Sequence, residues 1–193
     1  DLIVADQGIY EPLKTGVSLS RAHVKWFQHN DMDDLRRVLT EIQKHDEKVK
    51  RPQNAQRRFL VVEGLYKHTG TIVPLKELVQ LKHEFSYRLI LDESNSFGSL
   101  GPTGRGVHEL YGCKLMHDVE ITTISLENAM GAIGGITVGT EEVVEHQRLS
   151  GSGYCFSASS PPFTASAAVE SLKLLQTSAE TTLEPLQDNV AYL

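Results

Sequence analysis

The chain has 193 residues, with 19 basic and 25 acidic side chains and a formal net charge of −6. This length suffices for one α/β domain with a sizeable core. The acidic balance argues against nucleic-acid binding, which usually needs a clustered basic face. Two cysteines without CxxC spacing indicate neither a metal knuckle nor a disulfide framework, so a reducing environment is expected. No run reaches the ~18 apolar residues that span a bilayer.

Helical and strand-like patterns alternate along the first part of the chain. Residues 1–6 form an apolar, strand-like run, residues 13–22 have helical spacing, and residues 23–27 are again strand-like. Asn30 or Asp31 can cap the helix that follows. Its inward stripe consists of Met32, Leu35, Val38, Leu39 and Ile42. The basic residues around Pro52 are interpreted as part of a solvated loop: Lys48, Lys50, Arg51, Arg57 and Arg58.

The same alternation continues to the end of the chain. Apolar strands are predicted at residues 58–63 and 88–92, and two more within residues 121–139, while residues 154–157 are predicted to be β-like. Helices are predicted from Pro74, at residues 107–111, at residues 141–149, and from Pro161 or Pro162 to about Leu175. Apolar strands separated by amphipathic helices predict an α/β fold with a mostly parallel sheet between helices. Because both ends of the chain fall within such elements, we expect a fragment of a longer protein.

Ligands of such folds bind beyond the carboxyl ends of the strands, which selects the turns after Glu63, Asp92, Ser125 and Ser157. Asp92 could meet a cationic ring nitrogen of a cofactor, or could simply order its loop. The hydroxyls of residues 156–162 could bind a phosphate at a helix N-terminus, or could only cap that helix. No zinc-like histidine spacing, GxSxG elbow or P-loop is present, so no metal site is predicted.

Several separated motifs together resemble the α-oxoamine synthases, which are pyridoxal-phosphate (PLP)-dependent enzymes of aminotransferase fold type I. The motifs occupy residues 27–31, 62–75, 92–98 with Gly101, 104–106 and 156–162. The family condenses an amino acid with an acyl-CoA, with loss of CO2 and CoA. The resemblance implies that residues 1–177 belong to the cofactor-binding large domain, that residues 178–193 begin the connection to a small domain, and that the active sites lie at a dimer interface.

Three departures from the family pattern concern the cofactor. The Schiff-base lysine, in a Ser/Thr-Lys-x-x-Gly-x-x-Gly-Gly pattern, aligns with Asn128, and Ser125 is a further aligned cofactor position. The histidine of Asp-Glu-Ala-His-Ser aligns with Asn95, although the aspartate is kept as Asp92. The histidine that stacks on the PLP ring aligns with Tyr10. Because an amide cannot form the internal aldimine, the resemblance implies that these positions are vestigial and that no residue of this chain is catalytic.

Within the family, residues 64–66, 69–72, 127–129 and 146–158 match non-catalytic members that pair with a lysine-bearing subunit. This implies a heterodimer at the endoplasmic reticulum membrane, facing the cytosol, that condenses L-serine with palmitoyl-CoA to 3-oxosphinganine. Ser157 and Ser159 would reach toward the PLP phosphate of the partner. Two alternatives stay open: a self-sufficient PLP enzyme that uses another lysine, and a purely scaffolding or regulatory subunit.

Overall fold

The computed structural model describes residues 1–52, 55–177 and 179–193. A six-stranded sheet forms its centre. The strands are β1 (Leu2–Asp6), β2 (His23–Phe27), β3 (Arg58–Glu63), β4 (Arg88–Asp92), β5 (Ile121–Ser125) and β6 (Gly135–Gly139). The helices are α1 (Glu11–Leu19), α2 (Met32–Lys48), α3 (Leu75–Phe85), α4 (Val107–Tyr111), α5 (Glu141–Ser150), α6 (Ser152–Cys155), α7 (Pro162–Thr177) and α8 (Ala179–Tyr192).

The strand order is β2-β1-β3-β4-β5-β6, and only β6 runs antiparallel to its neighbour. The predicted α/β fold with a mostly parallel sheet is therefore confirmed. The register sets Glu63 opposite Asp92, and Asp92 opposite Thr123, so polar residues line the carboxyl ends of three adjacent strands. This edge of the sheet is where ligands bind in open α/β folds.

The core lies between the sheet and the helices α2 and α3. Every residue of β1 is buried, which explains its continuous apolar run in a strand covered on both faces. The predicted stripe of α2 is confirmed, with Leu35, Val38 and Leu39 buried. Asp31 caps this helix, since its Oδ1 accepts the Asp34 N–H at 2.8 Å.

One prediction about local structure was wrong. Residues 154–157 were predicted to be β-like, but they form the end of the short helix α6 and the residues after it. The Cys155 N–H donates to the Gly151 carbonyl at 2.8 Å. Aromatic residues there have no neighbouring strand to pair with, so their intrinsic β preference has no effect. The basic residues around Pro52 are mostly exposed, as expected for a solvated loop, although Arg51 and Arg58 also form ion pairs with the buried Asp46.

The chain after β5 is much more exposed than the chain before it. The structure describes all residues of α5, and none of them is buried. Among the described residues of α7, only Thr164 and Ala168 are buried. Large apolar side chains lie on this surface: Ile133, Leu149, Tyr154, Phe156 and Phe163. Among the described residues, no helix is both long enough and apolar enough to cross a membrane. The predicted boundary at residue 178 falls on a residue outside the described ranges, and it stays a prediction.

Candidate functional site

Asp92 is the centre of a polar cluster at the carboxyl edge of the sheet. Its side chain is almost fully buried at the end of β4. The Thr123 hydroxyl, on the adjacent strand β5, donates to Oδ2 at 2.7 Å, and the Ser94 N–H donates to Oδ1 at 3.0 Å. Both carboxylate oxygens are thus held by donors of the chain itself, which fixes the direction in which this charge faces.

Tyr10 lies beside Asp92, in the turn between β1 and α1. Burial, together with the negative charge of Asp92, raises the pKa of the Tyr10 hydroxyl above its usual value. The Tyr10 backbone N–H donates to Glu63 Oε1 at 2.6 Å, and the Lys67 N–H donates to Glu63 Oε2 at 3.1 Å. Burial raises the pKa of the Glu63 carboxyl. The turn that carries Tyr10 is therefore tied to the end of β3 through a buried carboxyl group.

Asn128 lies in the turn between β5 and β6 and contacts the loop after β4. Its Nδ2 donates to the Ser94 carbonyl at 2.7 Å and to Asn95 Oδ1 at 3.1 Å. The Ser125 N–H also reaches this loop, donating to the Ser94 hydroxyl at 2.9 Å. The asparagine amide thus joins two loops that approach the same point from adjacent strands.

Close packing between these loops depends on Gly98. A Cβ at Gly98 would lie 2.3 Å from the Cβ of Ala129, and the residue has a φ of +79° that only glycine adopts easily. The loop that carries Asn128 can therefore lie directly against the loop that carries Asp92. Gly134, at φ +115°, gives the end of the same turn its unusual backbone direction.

The structure brings together five of the seven site residues predicted from the sequence. The cluster contains Tyr10, Asp92, Asn95, Ser125 and Asn128. Ser157 and Ser159 are exposed instead, and the Ser157 hydroxyl donates to the carbonyl of Gly153 in its own segment. Their segment nevertheless passes the glycine turn, since Ser160 Oγ lies 3.7 Å from the position that a Cβ on Gly134 would occupy.

Sequence reasoning missed Glu93, the residue next to Asp92. Glu93 is fully buried and accepts from the Val107 and His108 N–H groups at 2.9 and 3.1 Å, as well as from the His108 ring and the Ser96 hydroxyl. It holds α4 against the loop after β4. The sequence offered one signal for Glu93: it is a charged residue directly after a buried strand and ahead of a glycine-rich segment.

A second missed group surrounds Asp6, at the end of β1. This fully buried carboxylate accepts from His29 Nδ1, the Tyr66 hydroxyl and the Asn30 N–H, each at 2.9 Å, and from the Gly8 N–H at 2.6 Å. Apart from Gly8, the residues that donate to Asp6 belong to two sequence motifs, residues 27–31 and 62–75. Those motifs therefore have a shared structural role: they fix the loops behind the polar cluster.

A model of the class I and II aminotransferase family matches residues 1–193. The chain belongs to this family. It is 45% identical to serine palmitoyltransferase 1 of Dictyostelium discoideum over all of its residues, which cover 39% of that relative. It is 42% identical to long chain base biosynthesis protein 1 of Arabidopsis thaliana, again covering 39% of that relative. It is also 36% identical, over 98% of its own length, to serine palmitoyltransferase 1 of Saccharomyces cerevisiae, and it covers 34% of that relative.

Solved structures of the same family share the fold. Serine palmitoyltransferase from S. paucimobilis, with a bound PLP–myriocin aldimine, superposes with a TM-score of 0.81 at 28% identity, over 93% of this chain and 44% of that one. A structure of a serine palmitoyltransferase with a PLP internal aldimine gives a TM-score of 0.84 at 29% identity, over 97% and 44% of the two chains. The chain thus spans about two fifths of the length of these relatives.

The side chains of this cluster do not fit covalent attachment of PLP at Asn128. Formation of a Schiff base needs a primary amine, whereas Asn128 offers a carboxamide whose Nδ2 already donates to Ser94 and Asn95. Thr123 and Ser94 use only part of the accepting capacity of the Asp92 carboxylate, so the misfit rests on Asn128.

Proposed function

We propose that this chain is the non-catalytic large domain of a serine palmitoyltransferase, which supports a lysine-bearing partner subunit. The enzyme would condense L-serine with palmitoyl-CoA to 3-oxosphinganine, the first step of sphingolipid biosynthesis. The relatives that match over the whole chain carry the names serine palmitoyltransferase 1 and long chain base biosynthesis protein 1. PLP would be bound covalently by the partner, and this chain would contribute to the shared site from across the interface.

The observation that carries the proposal is the state of the turn at Asn128. The scaffold of a cofactor loop is present, with Gly98 packed against Ala129 and Asp92 buried at the strand end. At the position where the family pattern has its lysine, an amide joins the two loops through hydrogen bonds of 2.7 and 3.1 Å. A maintained scaffold around a residue that cannot form an imine is what a supporting subunit would show.

The exposed apolar side chains after β5 support the dimer part of the proposal. Ile133, Phe156 and Phe163 are 73%, 88% and 70% exposed. Exposed apolar side chains of this size mark protein–protein or membrane interaction sites where they form a common patch. Because Ser157 and Ser159 lie in the same exposed segment, a partner that covers it would bring its own site next to these hydroxyls.

The main competing function is a self-sufficient PLP enzyme that uses another lysine. Lys67 is the lysine whose backbone contacts the cluster, through Glu63, and its side chain is exposed. The complete protein should be purified alone, incubated with PLP, reduced with borohydride and digested for mass spectrometry. We expect no phosphopyridoxyl–lysine in any peptide of this chain, and a stoichiometric adduct on the partner when the two subunits are purified together.

An adduct on Lys67 or any other lysine of this chain would reject the supporting role. A Lys67→Arg variant serves as the matched control, since it keeps the charge but cannot form a stable Schiff base. A purely scaffolding role would be indicated if Ser157→Ala and Ser159→Ala left the affinity of the heterodimer for PLP and L-serine unchanged. We expect at least one of these variants to weaken PLP binding, because each removes a hydroxyl donor from the phosphate.

Two further expectations belong to the same proposal. Restoring a lysine with Asn128→Lys should give no aldimine absorbance and no activity in the complete protein alone, because Tyr10 and Asn95 also differ from the active pattern. The protein should fractionate with endoplasmic reticulum membranes, with this domain on the cytosolic side. Protease protection of the domain in sealed microsomes would contradict that orientation.

A further inference from the structure

A group of metal-ligating side chains lies at the opposite edge of the sheet from the candidate site. His83 is in the last turn of α3, shortly before β4, while His117 and Asp118 lie in the loop that leads into β5. Because β4 and β5 are parallel neighbours, the segments that enter them meet at the amino ends of the strands. The polar cluster around Asp92 lies at the carboxyl ends, so the two groups of side chains are separated by the length of the sheet.

The three side chains converge on one point. His117 Nδ1 lies 2.8 Å and His83 Nε2 lies 3.3 Å from Asp118 Oδ1, and the two imidazole rings are 5.4 Å apart between centroids. All three ligand atoms lie within 4.8 Å of one another. Ligands at about 2.0–2.2 Å from a tetrahedral zinc ion are about 3.3 Å from each other, so small side-chain rotations would suffice for coordination.

The loop that carries two of these ligands is held in place from behind. The Lys82 ammonium group, which is buried, donates to the carbonyls of His117 and Asp118 at 2.8 and 3.0 Å. Its charge is balanced by Glu120, at 2.7 Å. The backbone of the loop is therefore fixed against α3, on the same turn that presents His83.

The carboxylate is also oriented before any ligand arrives. The Lys114 N–H donates to Asp118 Oδ2 at 2.7 Å, which leaves Oδ1 directed at the two imidazoles. The site is open to water, because the side chains of His83 and His117 are 45% and 74% exposed. An ion bound there could complete its coordination with solvent molecules.

We propose that His83, His117 and Asp118 form a binding site for one divalent transition-metal ion. Two imidazole nitrogens and one carboxylate oxygen suit zinc and its neighbours in the first transition row, rather than magnesium or calcium, which prefer sets of oxygen ligands. The site joins the end of α3 to the entry of β5, so a bound ion would cross-link two segments that are 34 residues apart in the chain, His83 and His117. It is independent of the proposed function.

The test is a titration of the untagged, chelator-treated complete protein with zinc, measured by isothermal calorimetry. The variants are His83→Gln, His117→Gln and Asp118→Asn, and the matched control is His45→Gln. His45 is also an exposed histidine in the last turn of a helix, α2. We expect one saturable equivalent of Zn²⁺ in the wild type. Since loss of even an outer-shell partner weakens metal binding by about 10–100-fold, each ligand variant should bind at least about tenfold more weakly.

The zinc affinity of the control variant should lie within about twofold of the wild-type value. In a second measurement, the visible absorption of bound Co²⁺ should show tetrahedral coordination in the wild type and lose that signature in His117→Gln. Because His117 is exposed, we expect His117→Gln to fold normally, so a folding defect would not account for its loss of metal binding. Thermal melting in excess chelator checks this. Absence of a saturable equivalent in the wild type would overturn the proposal. Equal affinities of the wild type and all three ligand variants would do so as well.

Discussion

The residues before and after the end of β5 differ in how their apolar side chains are used. In the N-terminal region (residues 1–125), strands and helices bury most of their large apolar side chains, and Leu60, Leu89 and Leu91 are fully buried. In the C-terminal region (residues 126–193), the described buried apolar residues are only Met130, Ala132, Ala168 and Leu183. The first region provides its own core, whereas the second presents apolar surface that suits contact with another protein surface.

The largest difference should appear on truncation of matched leucines. Leu89→Ala, in the buried β4, should lower the free energy of unfolding by about 2–5 kcal/mol, because it leaves a cavity in a packed core. Leu149→Ala, in the exposed α5, should change it by less than about 0.5 kcal/mol. Urea unfolding measures both. Equal losses would show that the C-terminal region has a core of its own.

A second large effect is expected at the buried carboxylate of the N-terminal region. Asp6→Asn replaces one of the two acceptor oxygens that serve His29, Tyr66 and two backbone N–H groups, so it should cost about 3 kcal/mol. Asp33→Asn, an exposed residue in the first turn of α2, is the control and should be nearly neutral. Thermal melting of both variants compares them, and a neutral Asp6→Asn would refute the fixed-loop role.

The C-terminal region should respond in association rather than in folding. Phe156→Ala should leave the stability of the isolated protein nearly unchanged but weaken binding to the lysine-bearing partner by about 2 kcal/mol, or about thirtyfold, if Phe156 is a buried anchor of the interface. Leu19→Ala, also strongly exposed but in the N-terminal region, is the matched control. Surface plasmon resonance measures both variants. The same loss in both would remove the distinction between the regions.

A smaller effect is expected where the two regions meet, at Asn128. Asn128→Ala removes hydrogen bonds to Ser94 and Asn95 from an exposed side chain, so it should cost about 1 kcal/mol or less. Asn128→Asp should cost more, because a carboxylate would face two acceptors in place of a donor. Differential scanning fluorimetry ranks the two variants. The reverse order would mean that the amide does not join the loops as described.

The smallest effect concerns pH and belongs to the N-terminal region. Hydrogen bonds from the Gln28 N–H and from Arg37 lower the pKa of Asp34 below its usual value. A lowered carboxyl pKa contributes stability above the unfolded pKa, near 4, and that contribution is lost as the pH falls through the folded value. Asp34→Asn should therefore flatten the acid side of the stability profile by less than about 1 kcal/mol, after allowance for solvent screening. An unchanged profile would contradict this assignment.

Much of the fold and part of the candidate site could be predicted from local patterns. The apolar stripe of α2 and the continuous apolar strands specify burial directly, because the spacing of side chains follows the geometry of each element. The carboxyl-end rule then located Asp92, Ser125 and the turn of Asn128. The error at residues 154–157 has the opposite origin: strand preference acts only when a neighbouring strand is available, which is not a local property.

The sequence by itself determined the alternation of strands and helices, the edge of the sheet that carries the polar turns, and the amide at position 128. Only the tertiary structure decided which residues meet. The contact of Asn128 with Ser94 and Asn95 joins residues more than 30 positions apart, and His83 meets Asp118 in the same way. The physical reason is that such contacts depend on strand order and register, which arise from the packing of the whole sheet.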